Sequence, residues 1–240
     1  MLLFWVMMQN SITKSPRLYT ELDLKAEQEI NLTIEQVHYL RNVLRRNTQD
    51  EIRLFNGRDG EWLCSLTILN KKNATARTKC QTREQTIISR QVHAYFPPIK
   101  KNRMDFLIEK AVELGVTDLH PIITANTEIH KLNEGRLHAH IIEAAEQCER
   151  LDLPKLHPMT QAQNAIHASN IPIHAAIERH KCKNFHPGDN HDIAVLIGPE
   201  GGFTTEETKM MLDHPNVIGV SLGNNILRAE TALIKLLSLI

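Results

Sequence analysis

Two glycine-bearing loops near the C-terminus hold the residues whose types and spacing best suit a ligand site. The first, Gly-Pro-Glu-Gly-Gly-Phe at 198–203, follows the apolar run 193–197, and the second, Gly-Asn-Asn at 223–225, follows the apolar run 217–222. Buried strands that end in glycine-rich turns are typical of α/β sheets, in which ligands bind outside the carboxyl ends of the strands. The ligand site is therefore expected near the C-terminus.

The pattern of these glycines indicates the kind of ligand. Neither loop has the Gly-Lys-Ser/Thr of a Walker A motif, and no Gly-x-Gly-x-x-Gly occurs, so a phosphate-cradling nucleotide site is not indicated. Gly198, Gly201, Gly202 and Gly223 would instead let backbone groups approach a flat, mostly uncharged ligand such as an adenine ring. Tight strand-to-helix turns also need glycine without a ligand, but four glycines at two comparable turns favour binding.

The final predicted helix brings two charged residues to the second loop. If this helix begins near Arg228, Glu230 suits its positive end, whereas Arg228 opposes the helix dipole by ~0.3–1 kcal/mol. A cation in that position needs a partner. Two alternatives remain open: a structural salt bridge to Glu200 or Glu230, or a role for Arg228 against a ligand or a developing negative charge.

The composition bounds the class of protein. The 240 residues carry 28 Lys and Arg and 28 Asp and Glu, and the length suits two modest domains or one large one. The four cysteines lie far apart and form no Cys-x-x-Cys pair, so neither a zinc ribbon nor a disulfide framework is expected, which favours a reducing cytoplasm. The 13 histidines are scattered, and no metal site is expected.

No membrane segment is expected, and the charge is distributed unevenly. The apolar start at 1–8 is too short to span a bilayer and lacks the features of a signal peptide, so residues 1–12 are expected to precede the first strand, with the native start left open. Residues 1–88 carry 13 basic and 10 acidic side chains, a net +3, and residues 89–240 carry 15 and 18, a net −3. A basic N-terminal part suits a polyanion such as RNA, although an ordinary solvated surface has the same pattern.

The elements that must position these residues change in kind near residue 90. Before it, short strands and Asn-Gly or Asp-Gly turns at 51–91 predict a small β-barrel, preceded by one helix over 33–46 that puts Arg41 and Arg45 on one face. After it, strands alternate with helices, which predicts an α/β domain. The predicted elements are strands at 92–96, 116–123 and 171–177, the last two interrupted by proline, and helices at 102–114 and 134–151.

The predicted helix over 134–151 has one wholly polar stripe. Its members recur at steps of four and three residues: Arg136, His140, Glu143, Gln147 and Arg150. A solvated face and a functional face would both show this pattern.

Four motifs follow one another along residues 92–240. They are Lys110-Ala111-x-Glu113-Leu114-Gly115-Val116, Glu143-Ala144-Ala145-Glu146-Gln147-x-x-Arg150, the first loop, and Ser221-Leu222-Gly223 with Ile226-Leu227-Arg228-Ala229-Glu230-Thr231-Ala232. In order and spacing, this set resembles the bacterial ribosomal RNA uridine-N3 methyltransferase family, RsmE. The N-terminal part agrees more loosely with that family through the segments 16–19, 38–40 and 43–45.

The resemblance implies an α/β fold with two domains. They are a PUA-like β-barrel at 1–90 that helps to hold RNA, and a SPOUT methyltransferase domain at 91–240 whose chain passes through a deep trefoil knot. Knots are so rare that periodicity alone would give an open sheet. The resemblance further implies a cytoplasmic homodimer that binds S-adenosylmethionine in the knot and methylates N3 of one uridine in 16S rRNA of the small ribosomal subunit.

The resemblance also implies roles for individual residues. Arg228 is expected to balance negative charge on the uracil oxygens, and Glu230 to hold Arg228 or to take the N3 proton, with water as the alternative base. The expected cofactor-binding residues are Ile177, Leu196, Gly198, Pro199, Glu200, Gly201, Gly202, Ser221, Leu222, Gly223, Asn224, Ile226 and Leu227. The candidates for an RNA-binding or dimer face are Arg17, Arg41, Arg45, Arg103, Lys110, Gln147 and Arg150, the first three as phosphate contacts.

Two departures from the family pattern bear on activity. Family members commonly have Leu-Gly-Pro-Arg before the final motif, where this chain has Asn224 and Asn225, and a Glu-Arg pair often follows the strand with Pro121, where this chain has Ala125 and Asn126. These departures put RNA binding or catalytic geometry in question more than cofactor binding through the backbone. The alternatives are a catalytically impaired RNA-binding or ribosome-assembly protein, and a SPOUT methyltransferase that acts on another RNA, such as transfer RNA.

Overall fold

The chain forms two compact units. The computed structural model describes residues 14–177, 182–185 and 191–240, so the expected extension at 1–12 lies outside the described residues. One unit contains the described residues up to Ile87 together with Ala145–Asp152, and the other contains Ile88–Ala144 and Leu153–Ile240. Within the described ranges, no helix combines the length and the apolar character needed to cross a membrane.

The first unit is built on a five-stranded sheet. Its strands are β1 (Arg17–Tyr19), β2 (Glu29–Asn31), β3 (Glu51–Phe55), β4 (Glu61–Leu69) and β5 (Ala74–Arg83), in the order β1-β3-β4-β5-β2. The pair β1 and β3 is parallel, and the other pairs are antiparallel. Register shifts interrupt the pairing of β4 with β5, as expected where a sheet curls. Ile30, Leu40, Leu54 and Leu66 form part of the core under this sheet.

The prediction of one continuous helix over 33–46 is wrong. An α-helix, α1 (Ile34–His38), begins at a capping box formed by Thr33 and Gln36, and a π-helical turn follows at Tyr39–Val43. Arg45 has a φ of +53°, which ends the helical segment. Because a π-turn and a left-handed residue do not keep the α-helical period, Arg41 and Arg45 do not share one helix face as predicted.

A buried ionic cluster occupies the core of the first unit. Arg17 Nε lies 2.5 Å from Glu61 Oε2, and their side chains are 2% and 1% exposed. Arg53 Nη1 lies 3.4 Å from the other carboxylate oxygen of Glu61. Burial raises the pKa of Glu61, but its bonds to Arg17 and the charge of Arg53 outweigh that effect and hold the pKa below its usual value.

Arg17 is therefore a correction to the predicted phosphate contacts. Its guanidinium donates to the carbonyls of Ala145 (2.9 Å), Glu146 (3.2 Å) and Arg150 (2.8 Å), besides its bond to Glu61. Burial is the main cause that lowers the pKa of Arg17. With its donors engaged inside the unit, Arg17 fastens residues 145–152 instead of facing RNA.

The second unit is an α/β domain. Its strands are β6 (Val92–Phe96), β7 (Asp118–Ile123), β8 (Lys155–Leu156), β9 (Thr160–Gln161), β10 (Ile173–Ala176), β11 (Lys183–Asn184), β12 (Ile193–Leu196) and β13 (Val217–Ser221). The helices between and after them are α2 (Lys101–Glu113), α3 (Glu134–Gln147), α4 (Ala162–Ala168), α5 (Thr205–Asp213) and α6 (Ala229–Leu237). All pairs along the order β11-β13-β10-β12-β6-β7-β8 are parallel, which confirms the predicted α/β class.

The predicted bounds of three elements need correction. The strand predicted at 116–123 begins at Asp118 and continues through Pro121, which lies in register with Phe96. The helix predicted to reach Leu151 ends at Gln147, and the strand predicted at 171–177 covers Ile173–Ala176. The capping box of Thr204 and Glu207 is present at the start of α5.

The order of the strands explains why the two loops meet. Strand β10 pairs on one side with β12 and on the other with β13, so that Ala175 lies opposite both Leu196 and Gly219. Because the three strands are parallel, their carboxyl ends lie at one edge of the sheet. The first loop after β12, the second loop after β13 and Ile177 after β10 therefore share that edge.

Candidate cofactor and active site

The first loop, 198–203, is held from outside by the segment after β7. Gly202 has a φ of +69°, a conformation that favours glycine. The Asn126 amide donates to the carbonyls of Gly201 and Gly202 at 3.1 and 3.0 Å, and the Ala125 backbone N–H donates to Glu207 Oε1 at 2.8 Å. Asn126, one of the positions that depart from the family pattern, thus fastens this loop, and the Ala125 backbone bonds the first turn of α5.

The second loop with its flanking residues, 222–227, is fixed by a hydrogen bond at its start and has open backbone groups afterwards. Gly223 has a φ of +108°, and Lys235 Nζ of α6 donates to the Leu222 carbonyl at 2.7 Å. Within the described ranges, residues 224–227 find no hydrogen-bond partner for their backbone groups. Ile226 is 62% exposed. Free backbone donors and acceptors beside an exposed apolar side chain fit a flat ligand with a polar edge, such as adenine.

Arg228 and Glu230 occupy the start of α6 in very different surroundings. Arg228 is the N-cap residue and is exposed, whereas Glu230, in the first turn, is buried. Glu230 Oε2 has no hydrogen-bond partner among the described residues. The ion pair that Glu230 makes is with Arg103 Nη1, at 3.8 Å.

The structural salt bridge left open for Arg228 is made by Arg103 instead. Arg103 Nη2 lies 2.5 Å from Glu200 Oε1, so this guanidinium contacts both acids that were alternatives for Arg228. Over the described part of the chain, Arg228 forms no ion pair with either acid. Its charge is therefore available to a ligand at the second loop.

Other predicted site residues lie in several environments. Ile177 and Leu196 are buried in the core of the second unit, so only their backbone can reach a cofactor. Lys110 pairs with Glu109 and Glu113 on its own helix. Gln147 is exposed, as is Arg45, while Arg41 is partly covered.

The polar stripe of α3 does not form one free face. Arg136 pairs with Asp105, and His140 Nε2 lies 3.5 Å from the same carboxylate. Arg150, beyond the helix, pairs with Asp152 at 2.5 Å and gives its carbonyl to Arg17. Structural contacts thus account for much of the stripe.

Sequence reasoning missed a histidine cluster on β6, β7 and the segment after β8. His93 Nδ1 lies 2.9 Å from His120 Nε2, and His157 Nε2 lies 2.7 Å from Asp118 Oδ1. Burial, aided by the neighbouring histidines, lowers the pKa of His120 to about 3, so its ring is neutral near pH 7. His93, Asp118 and His120 are close enough to share a metal ion. The expectation that the protein binds no metal stays a prediction.

Both units of the chain match known protein families. Residues 87–240 match the family described as RNA methyltransferase domain, and residues 32–79 match the RNA methyltransferase PUA domain. Ribosomal RNA small subunit methyltransferase E of Rickettsia conorii is 36% identical over 227 residues, which cover 92% of this chain and 93% of the relative. The chain belongs to the ribosomal RNA small subunit methyltransferase E family.

Solved structures agree with this membership. Ribosomal RNA small subunit methyltransferase E from Neisseria gonorrhoeae, bound to S-adenosyl methionine, superposes with a TM-score of 0.82 at 28% identity, covering 93% of this chain and 96% of that one. A Legionella pneumophila structure with bound cofactor SAM has a TM-score of 0.86 at 27% identity, with 94% and 96% covered. The methyltransferase E fold therefore extends over both units of the chain.

Within this methyltransferase E chain, Asn126 should contribute measurably to cofactor binding. Asn126→Ala removes two hydrogen bonds to the first loop, each worth about 0.5–1.5 kcal/mol, so we expect S-adenosylmethionine to bind roughly 5- to 160-fold more weakly. Calorimetric titration measures this directly. Asn170→Ala, at an exposed position of the same unit, is the matched control, and equal affinity of both variants would show that the Asn126 contacts do not order the loop.

Proposed function

We propose that the protein transfers a methyl group from S-adenosylmethionine to N3 of a uridine in 16S rRNA. The observation that carries the proposal is the second loop, where open backbone groups at 224–227 adjoin the exposed Arg228 and the buried Glu230. The open backbone groups could form hydrogen bonds with the neutral edge of a ligand, and Arg228 could stabilise a developing negative charge. The relatives are ribosomal RNA small subunit methyltransferases, which supports the choice of substrate.

The two loops would hold S-adenosylmethionine, whose sulfonium supplies an electrophilic methyl group. The backbone of 198–202 and 222–227 is the part of the chain that suits the cofactor, with Asn126 and Lys235 fixing the two loops. Most of the rate gain is expected from holding the methyl group of the cofactor in line with uridine N3.

The substrate must lose a proton, because uridine N3 is protonated at neutral pH. Arg228 stabilises the negative charge that spreads onto the uracil oxygens when this proton leaves. Glu230 accepts the proton or orients the water that does so. The Glu230 oxygen without a hydrogen-bond partner is consistent with such a role, because a buried polar atom of this kind needs a partner in the working complex.

The proposal extends to the organisation of the chain. Residues 1–90 would hold RNA, with Arg41 and Arg45 as phosphate contacts, and residues 91–240 would carry the chemistry in a knotted SPOUT domain. Exposed Gln147 would serve the RNA or a second copy of the chain in a cytoplasmic homodimer. Solvated cations such as Arg45 support RNA contact in a way that the buried Arg17 does not.

The catalytically impaired alternative is less well supported. It rested on Ala125, Asn126 and Asn225. Asn126 holds the first loop through two side-chain hydrogen bonds, so this departure has a structural function. The bond from Ala125 to the capping residue Glu207 is made by the backbone and does not depend on the side chain. Asn225 is exposed, and no contact of the described residues explains its choice.

Nucleoside analysis of 16S rRNA tests the function. A strain without the gene should lose 3-methyluridine from 16S rRNA and regain it when the gene is restored. Unchanged 3-methyluridine would overturn the substrate assignment, and loss of a methylated nucleoside from transfer RNA alone would favour the other-RNA alternative. Calorimetric titration of the purified protein with S-adenosylmethionine distinguishes the methyltransferase from the catalytically impaired RNA-binding protein, because the impaired protein need not bind the cofactor.

A further inference from the structure

Arg103 occupies an unusual position between the two loops. It projects from the first turn of α2 and contacts Glu200 of the first loop at 2.5 Å and Glu230 after the second loop at 3.8 Å. Helix α2 packs against α6, which carries Glu230. One guanidinium thus joins two carboxylates that lie 30 positions apart in the sequence and follow different strands.

The environments of the two carboxylates differ. The Glu230 side chain is 8% exposed and the Glu200 side chain 35% exposed, while that of Arg103 is 26% exposed. The buried carboxylate of Glu230 needs a compensating positive charge more than the solvated one does. Oε2 of Glu230 has no hydrogen-bond partner in the described structure, and the ion pair at 3.8 Å with Arg103 is the charged side-chain contact that the described residues give it.

We propose that Arg103 is a positioning residue that ties the first loop to Glu230 and keeps this carboxylate in place. The proposal rests on the proposed function, because it assigns Arg103 to the site in which Glu230 acts. It replaces the expectation that Arg103 belongs to an RNA-binding or dimer face. Arg103 would act through Glu200 and Glu230 and would not contact the uridine.

The two roles for Arg103 predict different kinetic effects of Arg103→Gln. If Arg103 is a positioning residue, the substitution lowers kcat by at least about tenfold, because small misplacements of a catalytic group have large effects on rate. The affinity for RNA stays unchanged. If Arg103 instead contacts RNA, the substitution weakens RNA binding and reduces the slope of log Kd against log salt concentration by about one. Fluorescence anisotropy with a 16S rRNA fragment over a range of salt concentrations, beside single-turnover methylation, separates the two. Weakened RNA binding with an unchanged kcat would overturn the proposal.

A double-mutant cycle tests whether Arg103 acts through Glu230. In the positioning role, Arg103→Gln combined with Glu230→Gln is no slower than Glu230→Gln alone, because the group that Arg103 positions is already gone. Additive losses would mean that Arg103 acts independently of Glu230. Arg103→Lys should restore part of the rate, since one ammonium keeps the charge but cannot engage two carboxylates as a guanidinium does.

The cycle also has a readout that needs no methylation. In the protein without ligands, Arg103→Gln leaves a buried carboxylate without its cation and should lower the thermal unfolding midpoint, and adding Glu230→Gln should recover part of the loss. Arg136→Gln is the matched control, because Arg136 is 29% exposed and pairs with Asp105 instead of Glu200 or Glu230. If the double variant melts no higher than Arg103→Gln alone, the electrostatic link is refuted. If the link holds but wild-type protein does not methylate 16S rRNA, the proposed function fails and the link between the loops stands.

Discussion

Replacing Arg228 with alanine should reduce methyl transfer by about 10²–10³-fold in kcat while leaving the affinity for S-adenosylmethionine unchanged. Arg228 is exposed at the start of α6, where the helix dipole opposes its charge, and the two nearby acids pair with Arg103 instead. In the proposed mechanism, Arg228, which has no ion pair among the described residues, stabilises charge that develops during the reaction and is not needed to hold the loops. Cofactor binding should depend on the backbone of the loops and not on this side chain.

Single-turnover methylation of a 16S rRNA substrate and calorimetry with S-adenosylmethionine measure the two effects separately. Lys209→Ala, which removes an exposed cation from α5 in the same unit, controls for the general loss of positive charge. Arg228→Lys keeps the charge but loses the forked geometry and should be intermediate. A wild-type rate in Arg228→Ala would remove Arg228 from the mechanism, and a fall in cofactor affinity equal to the fall in rate would assign it to the cofactor site.

The sequence predicts the second unit well because its signals are local. Strands such as Val92–Phe96 and Ile193–Leu196 are short apolar runs bounded by proline or glycine, and both were expected within a residue of their observed bounds. Glycines with positive φ, at 202 and 223, mark the turns that bring the loops to the sheet edge. By contrast, the apolar residues of the π-turn at 39–43 are spaced nearly as they would be in an α-helix. The sequence pattern therefore does not show that the buried Leu40 packs in the core from a π-turn.

The contacts that the sequence could not reveal are those between distant polar residues. Asn126 lies 75 positions from Gly201, and Arg17 lies 44 positions from Glu61, so neither pairing leaves a periodic signal. A basic residue such as Arg17 or Arg103 suggests RNA when it is considered alone, because the carboxylate that neutralises it is elsewhere in the chain. The contact of Lys235 with the second loop is only weakly indicated by the sequence. Lys235 lies near the end of α6, where cations are common because of the helix dipole alone.

Glu61→Gln should destabilise the first unit by about 3–5 kcal/mol, because it removes the anion between two buried arginines. The Glu61 side chain is 1% exposed, and it also accepts a hydrogen bond from Thr82 Oγ1 at 2.9 Å. A glutamine keeps the shape but removes the carboxylate that pairs with Arg17, and leaves Arg53 only its ion pair with Glu149 at 3.1 Å. Asp23→Asn, which breaks the exposed pair of Asp23 with Arg58, is the control and should change stability by less than about 1 kcal/mol.

Urea unfolding of the full chain, followed by a probe in the first unit such as the fluorescence of Trp62, measures the difference. The sign of its pH dependence follows from the lowered pKa of folded Glu61: the stabilising effect is present above the ordinary value of 4.5 and is lost as the pH falls through the lower folded value. The gap between wild type and Glu61→Gln should therefore be constant near neutral pH and narrow in acid. A gap below about 1 kcal/mol at neutral pH would mean that desolvation of the three charges cancels their attraction.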